Sequence, residues 1–341
     1  MRHTKPNRVR TDHIHHRWLG RSTSMLLLLM ICVAFGAAAE PEPTRTRRML
    51  WIGNYLLSMG HVPLYTNLLL QHHDPGCQAI HEYAGTVHGG VAESWEKQIG
   101  VFLLRPTAGI PEKDSRGRTY WGPRLKALQR FKAAPVDWVI LQVGLPMAAK
   151  HVETEEPAIR QYMAACQEAK VPIALMEPGL SAALGIGRAL EKDAEGGLQK
   201  YLDDSKTKTR LKELRLQERL WGVPVIPGTI AYAEFMRTHP QFHLARRNDN
   251  HYSQETGYFM ACLVTAYLYE GRPATFPDEE AVFGEHNARV KAKEDKDKAG
   301  GRKPRGKHPY KYAAFLPGEQ EAIHTFIWDF VKQYKQELAA P

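Results

Sequence analysis

The chain has 341 residues, 46 of them Lys or Arg and 37 Asp or Glu, a formal net charge of +9, with 43% hydrophobic and 9% aromatic residues. That is ordinary globular composition, which excludes wholesale disorder and a fibrous repeat. No apolar run reaches the roughly 18–20 residues that span a bilayer, so no integral membrane protein is expected. In chain order, the first element is a leader. Residues 1–24 are basic and polar, Met25 to Ala34 is almost entirely apolar, and Gly36 to Ala39 are small ahead of Glu40-Pro41. This is the order of a secretory signal peptide, with cleavage expected after Ala39. The mature chain, residues 40–341, is then a single domain, secreted or periplasmic; Met25 is an alternative start. Cys32 leaves with the leader, while Cys77, Cys166 and Cys262 remain without any CxxC spacing. They allow one disulfide at most, and three buried thiols are the other reading.

The mature chain alternates strand and helix signals. Met49–Ile52 reads as a buried strand ending at the Gly53-Asn54 turn, followed by a helical pattern over Leu64–Leu70. Val136–Leu141 is a second strand, and Pro157–Ala169 is periodic at helix spacing. Val171–Met176 is a third strand, stopped by Pro178-Gly179; residues from about Arg188 to Leu220 are charged and helical. Val223–Ile226 is a fourth strand and Ala231–Arg237 a helix. Gln254–Glu270 and Glu319–Glu337 close the chain as helices. Such alternation predicts a parallel sheet covered on both faces, with its site beyond the carboxyl ends of the strands. Pro172 and Pro224 predict strands that start late or lie near an edge.

Residues 285–312 interrupt the pattern. They hold ten Lys or Arg against four Asp or Glu, few hydrophobes, and several Gly and Pro. They read as a mobile surface loop, with a contact to a polyanion as one expectation and a plain solvated surface as the other. The net charge divides accordingly: the leader carries +5, this run +6 and the remainder −2. A nearly neutral domain is not a nucleic-acid-binding fold.

Four segments carry the chemistry. They are Trp51-Ile52-Gly53-Asn54-Tyr55 at a strand-to-helix turn, His88-Gly89-Gly90-Val91-Ala92-Glu93-Ser94-Trp95, Asp137–Gly144 with Leu141-Gln142, and Asn248-Asp249-Asn250-His251-Tyr252-Ser253 opening a helix. Each alone is weak; their order and spacing resemble the SGNH (GDSL-type) hydrolase superfamily, in particular an exported bacterial branch whose first block reads Ile-Gly-Asn-Ser. The resemblance runs from about Met49 to Pro273 and resumes at Leu316–Tyr334. It implies a three-layer α/β/α sandwich with a parallel, flavodoxin-like sheet. It also implies hydrolysis of an ester, commonly an acylated carbohydrate, without metal or cofactor.

In that chemistry a Ser attacks the acyl carbon, a His takes its proton, an Asp orients the imidazole, and amide donors hold the oxyanion. The resemblance places His251 as the base. Gly90, or Gly89, and Gln142 stand as oxyanion donors, with Asn54 beside them in the first block. Two positions depart from the pattern. Tyr55 occupies the nucleophile position, and Asn248 stands where the Asp belongs, with Asp249 one residue nearer His251. A phenol of pKa near ~10 is a poor acyl acceptor at neutral pH. Ser58, one helical turn on, is the fallback nucleophile. Ester hydrolysis and a catalytically silent domain that binds a glycan or an envelope partner are both consistent with these residues.

Overall fold

β1 is the centre of the architecture. Its residues, Arg45–Asn54, run from exposed arginines into Met49, Leu50, Trp51 and Ile52, all fully buried. A strand buried on both sides must be flanked and covered, and β1 is. The computed structural model describes residues 45–86, 99–105, 109, 113, 122–143, 149–178, 217–242, 244, 252–269, 271–301 and 311–339. Those from Thr44 onward form one compact unit.

After β1 come α1 (Tyr55–Met59), α2 (Val62–His73), β2 (Cys77–Thr86), α3 (Ile99–Leu104), α4 (Gly122–Lys132) and β3 (Trp138–Gln142). α5 (Ala149–Ala169), β4 (Ile173–Met176), α6 (Gln217–Trp221), β5 (Val225–Ile226) and α7 (Gly228–Thr238) follow. α8 (Gln254–Leu268), α9 (Glu279–Ala299) and α10 (Glu319–Ala339) complete the order. The five strands pair in parallel in the order β2-β1-β3-β4-β5, the flavodoxin-like doubly wound order.

Alternation along the strands makes two cores. Met49, Trp51, Ile140, Ala174, Met176 and Ile226 face α2, α7, α8, α9 and α10. Leu50, Ile52, Val139, Leu141, Leu175 and Val225 face α3, α4 and α5. The expected three-layer α/β/α sandwich is therefore the fold found.

β4 and β5 begin directly after Pro172 and Pro224, whose carbonyls accept from the amides of Val139 and Leu175. A proline that lacks an N–H still supplies an acceptor, so the ladder closes around it. α5 starts earlier than its periodicity predicts and carries Pro157 inside it. Most of the charged stretch from Arg188 to Leu220 lies outside the described residues, as does the leader. Cys77, Cys166 and Cys262 are free and buried, and burial pushes the Cys166 thiol up to about 12.

The loop expected over 285–312 needs correction. Residues 285–299 are helical, the body of α9. Asp278 caps it, its side chain accepting from Ala281 N at 2.8 Å. Glu279 and Glu280 in the first turn and Lys296 and Lys298 in the last complement the helix dipole. The charges within 285–299 nearly balance, five basic against four acidic. The basic excess falls on residues 302–311, of which 302–310 lie outside the described residues.

Candidate functional site

The first and third sequence blocks meet at the carboxyl ends of β1 and β3. Gly53 pairs across from this end of β3 because it has no side chain: a Cβ there would lie 2.7 Å from Gln142 Oε1 and 2.8 Å from Leu57 Cδ1. The close approach lets the Asn54 amide donate to Gln142 Oε1 at 3.3 Å. Asn54 also caps α1, its Oδ1 accepting from Leu56 N at 3.0 Å. With Oε1 so held, the Gln142 carboxamide is oriented, and no hydrogen bond among the described residues uses its Nε2. Its Nε2 is an N–H donor at the strand end, the kind of group that stabilises an acyl oxygen.

Ser58 is exposed, and its hydroxyl pairs with that of Tyr83 on β2. Tyr83 in turn donates to the Asn54 carbonyl and lies 3.3 Å from the Gly53 carbonyl. A phenol has one proton to give, so Tyr83 accepts from Ser58. Burial pushes the Tyr83 phenol well above its ordinary range, so it stays protonated and is no base for Ser58.

The fourth block is described only from Tyr252. Tyr252 is fully buried, and its Cβ approaches Gly60 at the end of α1. Ser253 caps α8, accepting from Thr256 N at 3.2 Å and donating to the Leu244 carbonyl at 3.0 Å. Gln254 ties α8 to α1 and α2: its Oε1 accepts from Tyr65 Oη at 2.7 Å, and its Nε2 donates to the Met59 carbonyl at 2.8 Å. Behind it, Gly257 lies directly on Gly60, where any Cβ would fall 1.6 Å from the Gly60 carbonyl oxygen.

The structure thus brings Asn54, Gln142 and Ser58 to one edge. Of Tyr55 only the backbone is described, as the first residue of α1. His251, Asn248, Asp249, Gly89 and Gly90 lie outside the described residues.

Three functional candidates escape a sequence reading. Tyr83 and Gln254 act through contacts no local pattern announces. Glu177 had a signal, a charged residue directly after the apolar run of β4 and before Pro178. It is 2% exposed, beside the first turn of α7, and burial pushes its carboxyl up to about 8, with the Thr229 amide pulling the other way. At neutral pH it is therefore largely a neutral acid, a donor rather than a charge.

No family model and no curated protein sequence matches the chain. Solved structures similar to it include the following three. A DUF4886 family protein from Bacteroides uniformis has TM-score 0.45 and 15% identity over 84% of this chain and 95% of that one. A protein from Slackia heliotrinireducens, described as a proposed SGNH hydrolase, has TM-score 0.38 and 16% identity over 64% of this chain and 97% of its own. A two-domain esterase active on acetylated mannans has TM-score 0.39 and 11% identity over 75% of this chain and 56% of its own. Likeness at such identity concerns the fold, and chemistry has to come from this chain's own residues. Its parallel strand order and its two helical layers make this a flavodoxin-like three-layer α/β/α fold.

Proposed function

We propose that the carboxyl edge receives an acylated carbohydrate, as an SGNH-type ester hydrolase or hydrolase-like protein does. The observation that carries this is the Gln142 carboxamide at the end of β3, fixed through Oε1 by the Asn54 amide, whose Nε2 is an N–H donor. Such a donor binds the acyl oxygen of an ester and, in a tetrahedral intermediate, its developing negative charge. Turnover by acyl transfer needs His251 as base, Asp249 or Asn248 to orient it, and a nucleophile at the place of Tyr55.

Binding without turnover is the second reading, and one observation favours it. Ser58, the fallback nucleophile, is engaged by a phenol that burial keeps protonated. The mature protein is to be assayed with nitrophenyl acetate and with acetylated oligosaccharides. Hydrolysis abolished by His251→Ala supports the enzyme. No hydrolysis, with oligosaccharide binding weakened by Gln142→Ala, supports the silent domain. Absence of both turnover and Gln142-dependent binding rejects both. A gain of hydrolysis in Tyr55→Ser/Asn248→Asp identifies the two departures as the cause of silence.

We also propose export with cleavage near Ala39, on the order of basic, apolar and small residues in the leader. An intact leader on protein recovered from its cellular destination, read by N-terminal sequencing, would overturn it.

A further inference from the structure

A cavity of about 290 Å3 lies between α2 and the first half of α9. Its polar lining includes His61, Asn67, Gln71, Glu285, His286 and Arg289, with Leu68 and Val282 among its apolar walls. His61 joins α1 to α2 with φ 53° and ψ 27°, left-handed backbone. Non-glycine residues adopt it rarely, and such conformations gather at functional sites. The turn sets the His61 ring 5.9 Å from that of His286, nearly edge-on at 75°. The ring also lies 6.0 Å from Tyr65, yet no hydrogen bond among the described residues uses the imidazole.

The lining selects a ligand by chemistry. His286 Nε2 donates to the Lys311 carbonyl at 3.0 Å, which leaves Nδ1 an acceptor in the neutral ring. Burial holds His61 below the ordinary histidine range; His286 and Arg289 add to this, and Glu285 opposes it. Near neutral pH it therefore presents one donor and one acceptor. Glu285 and Arg289 pair with each other along α9, so neither meets the cavity as a bare charge. An ammonium group would face Arg289. A carboxylate or phosphate would have to break the Glu285–Arg289 pair and meet the Glu285 charge. A neutral polyhydroxy ligand uses the donors and acceptors together and desolvates no charge of its own. The volume falls at the lower end of the roughly 300–1,000 Å3 of ligand pockets, room for one ring and not for a chain.

We propose that this cavity binds one neutral sugar ring, its hydroxyls bridging His61, His286 and the Glu285–Arg289 pair. The inference deepens the carbohydrate reading above and rests on it for the choice of sugar among polyols, but it uses no carboxyl-edge residue. The test is calorimetric titration of the full chain at neutral pH with the methyl glycosides of glucose, mannose and galactose, and with acetate and phosphate in parallel. A glycoside is expected to bind with a dissociation constant near ~1 mM. His286→Ala and Arg289→Ala, both on α9, should each weaken it about tenfold. His61→Gly, which suits the left-handed backbone, should do the same. Gln142→Ala should leave it unchanged, so this site and the carboxyl edge fail independently. Protonating His61 by acidification should weaken binding, because the ring loses its acceptor. Glycosides that do not bind, that bind equally to all three cavity variants, or that bind less tightly than acetate or phosphate overturn the proposal.

Discussion

The two edges of the sheet treat polar groups differently. At the amino edge, charge is answered by an amide, a charge or a ring: Asp137 Oδ2 accepts from the Arg48 backbone N–H at 2.6 Å, Arg47 lies 3.9 Å from Asp74, and its guanidinium sits 4.5 Å over Tyr269. At the carboxyl edge the described buried polar groups include Gln142, a carboxamide held through Oε1, and Glu177, a carboxyl held neutral by burial. The amino edge gathers charges, and Arg47 Nε and Arg48 Nε find no hydrogen bond among the described residues. The carboxyl edge presents uncharged hydrogen-bonding groups instead, the kind a neutral ligand can use.

The contrast can be broken or sharpened by substitution. The largest effect is expected from Gly257→Ala, which forces a methyl into the Gly60 carbonyl and parts α8 from α1. A loss of about 3 kcal/mol or more in urea unfolding should follow, beyond ordinary overpacking. Next is Glu177→Gln. The carboxyl is raised from 4.5 to about 8 in the fold, so its proton-linked stability is fully present below about 4.5 and fades as pH rises through about 8. The slope is about 1.4 kcal/mol per pH unit across that window. Denaturation at several pH values should show this slope in the natural protein and a flatter line in the variant; equal slopes would show that Glu177 is not held neutral.

Asp137→Ala, at the opposite edge, should cost about 1 kcal/mol in urea unfolding through the lost bond from Arg48 N. No cost there would erase the contrast between the edges. The smallest effect belongs to Ser58→Ala, within about 0.5 kcal/mol in stability and without change in any ester turnover, since Ser58 is exposed and bound to a neutral phenol. Loss of turnover there would restore Ser58 as nucleophile.

Apolar runs carried much of the fold openly. β1, β3, β4 and β5 are buried on both faces, and their sequences are correspondingly continuous. β2 is an edge strand whose Gln78, His81 and Glu82 interrupt any run, so its pairing to β1 was invisible locally. α9 was misread because its few buried residues, Val282 and Phe283, cluster at one end of a charged helix. Its true signal was the Asp278-Glu279-Glu280 start, a capping residue before two acids. At the site, the Asn54–Gln142 juxtaposition was legible because both residues end apolar strands. Tyr83, Gln254 and the Gly60–Gly257 approach were not, because each depends on which elements become neighbours in three dimensions.

The Gln254 bridge to Met59 joins residues 195 positions apart. A ribosome adds about 5–20 residues per second, so α1 waits on the order of ten seconds or longer for the helix that covers it. Through that interval the apolar surface of β1 and α1 has no α8 or α10 to pack against. The nascent chain must be shielded by other means until its final third emerges. Truncation before α8 should consequently yield aggregates rather than a smaller folded domain.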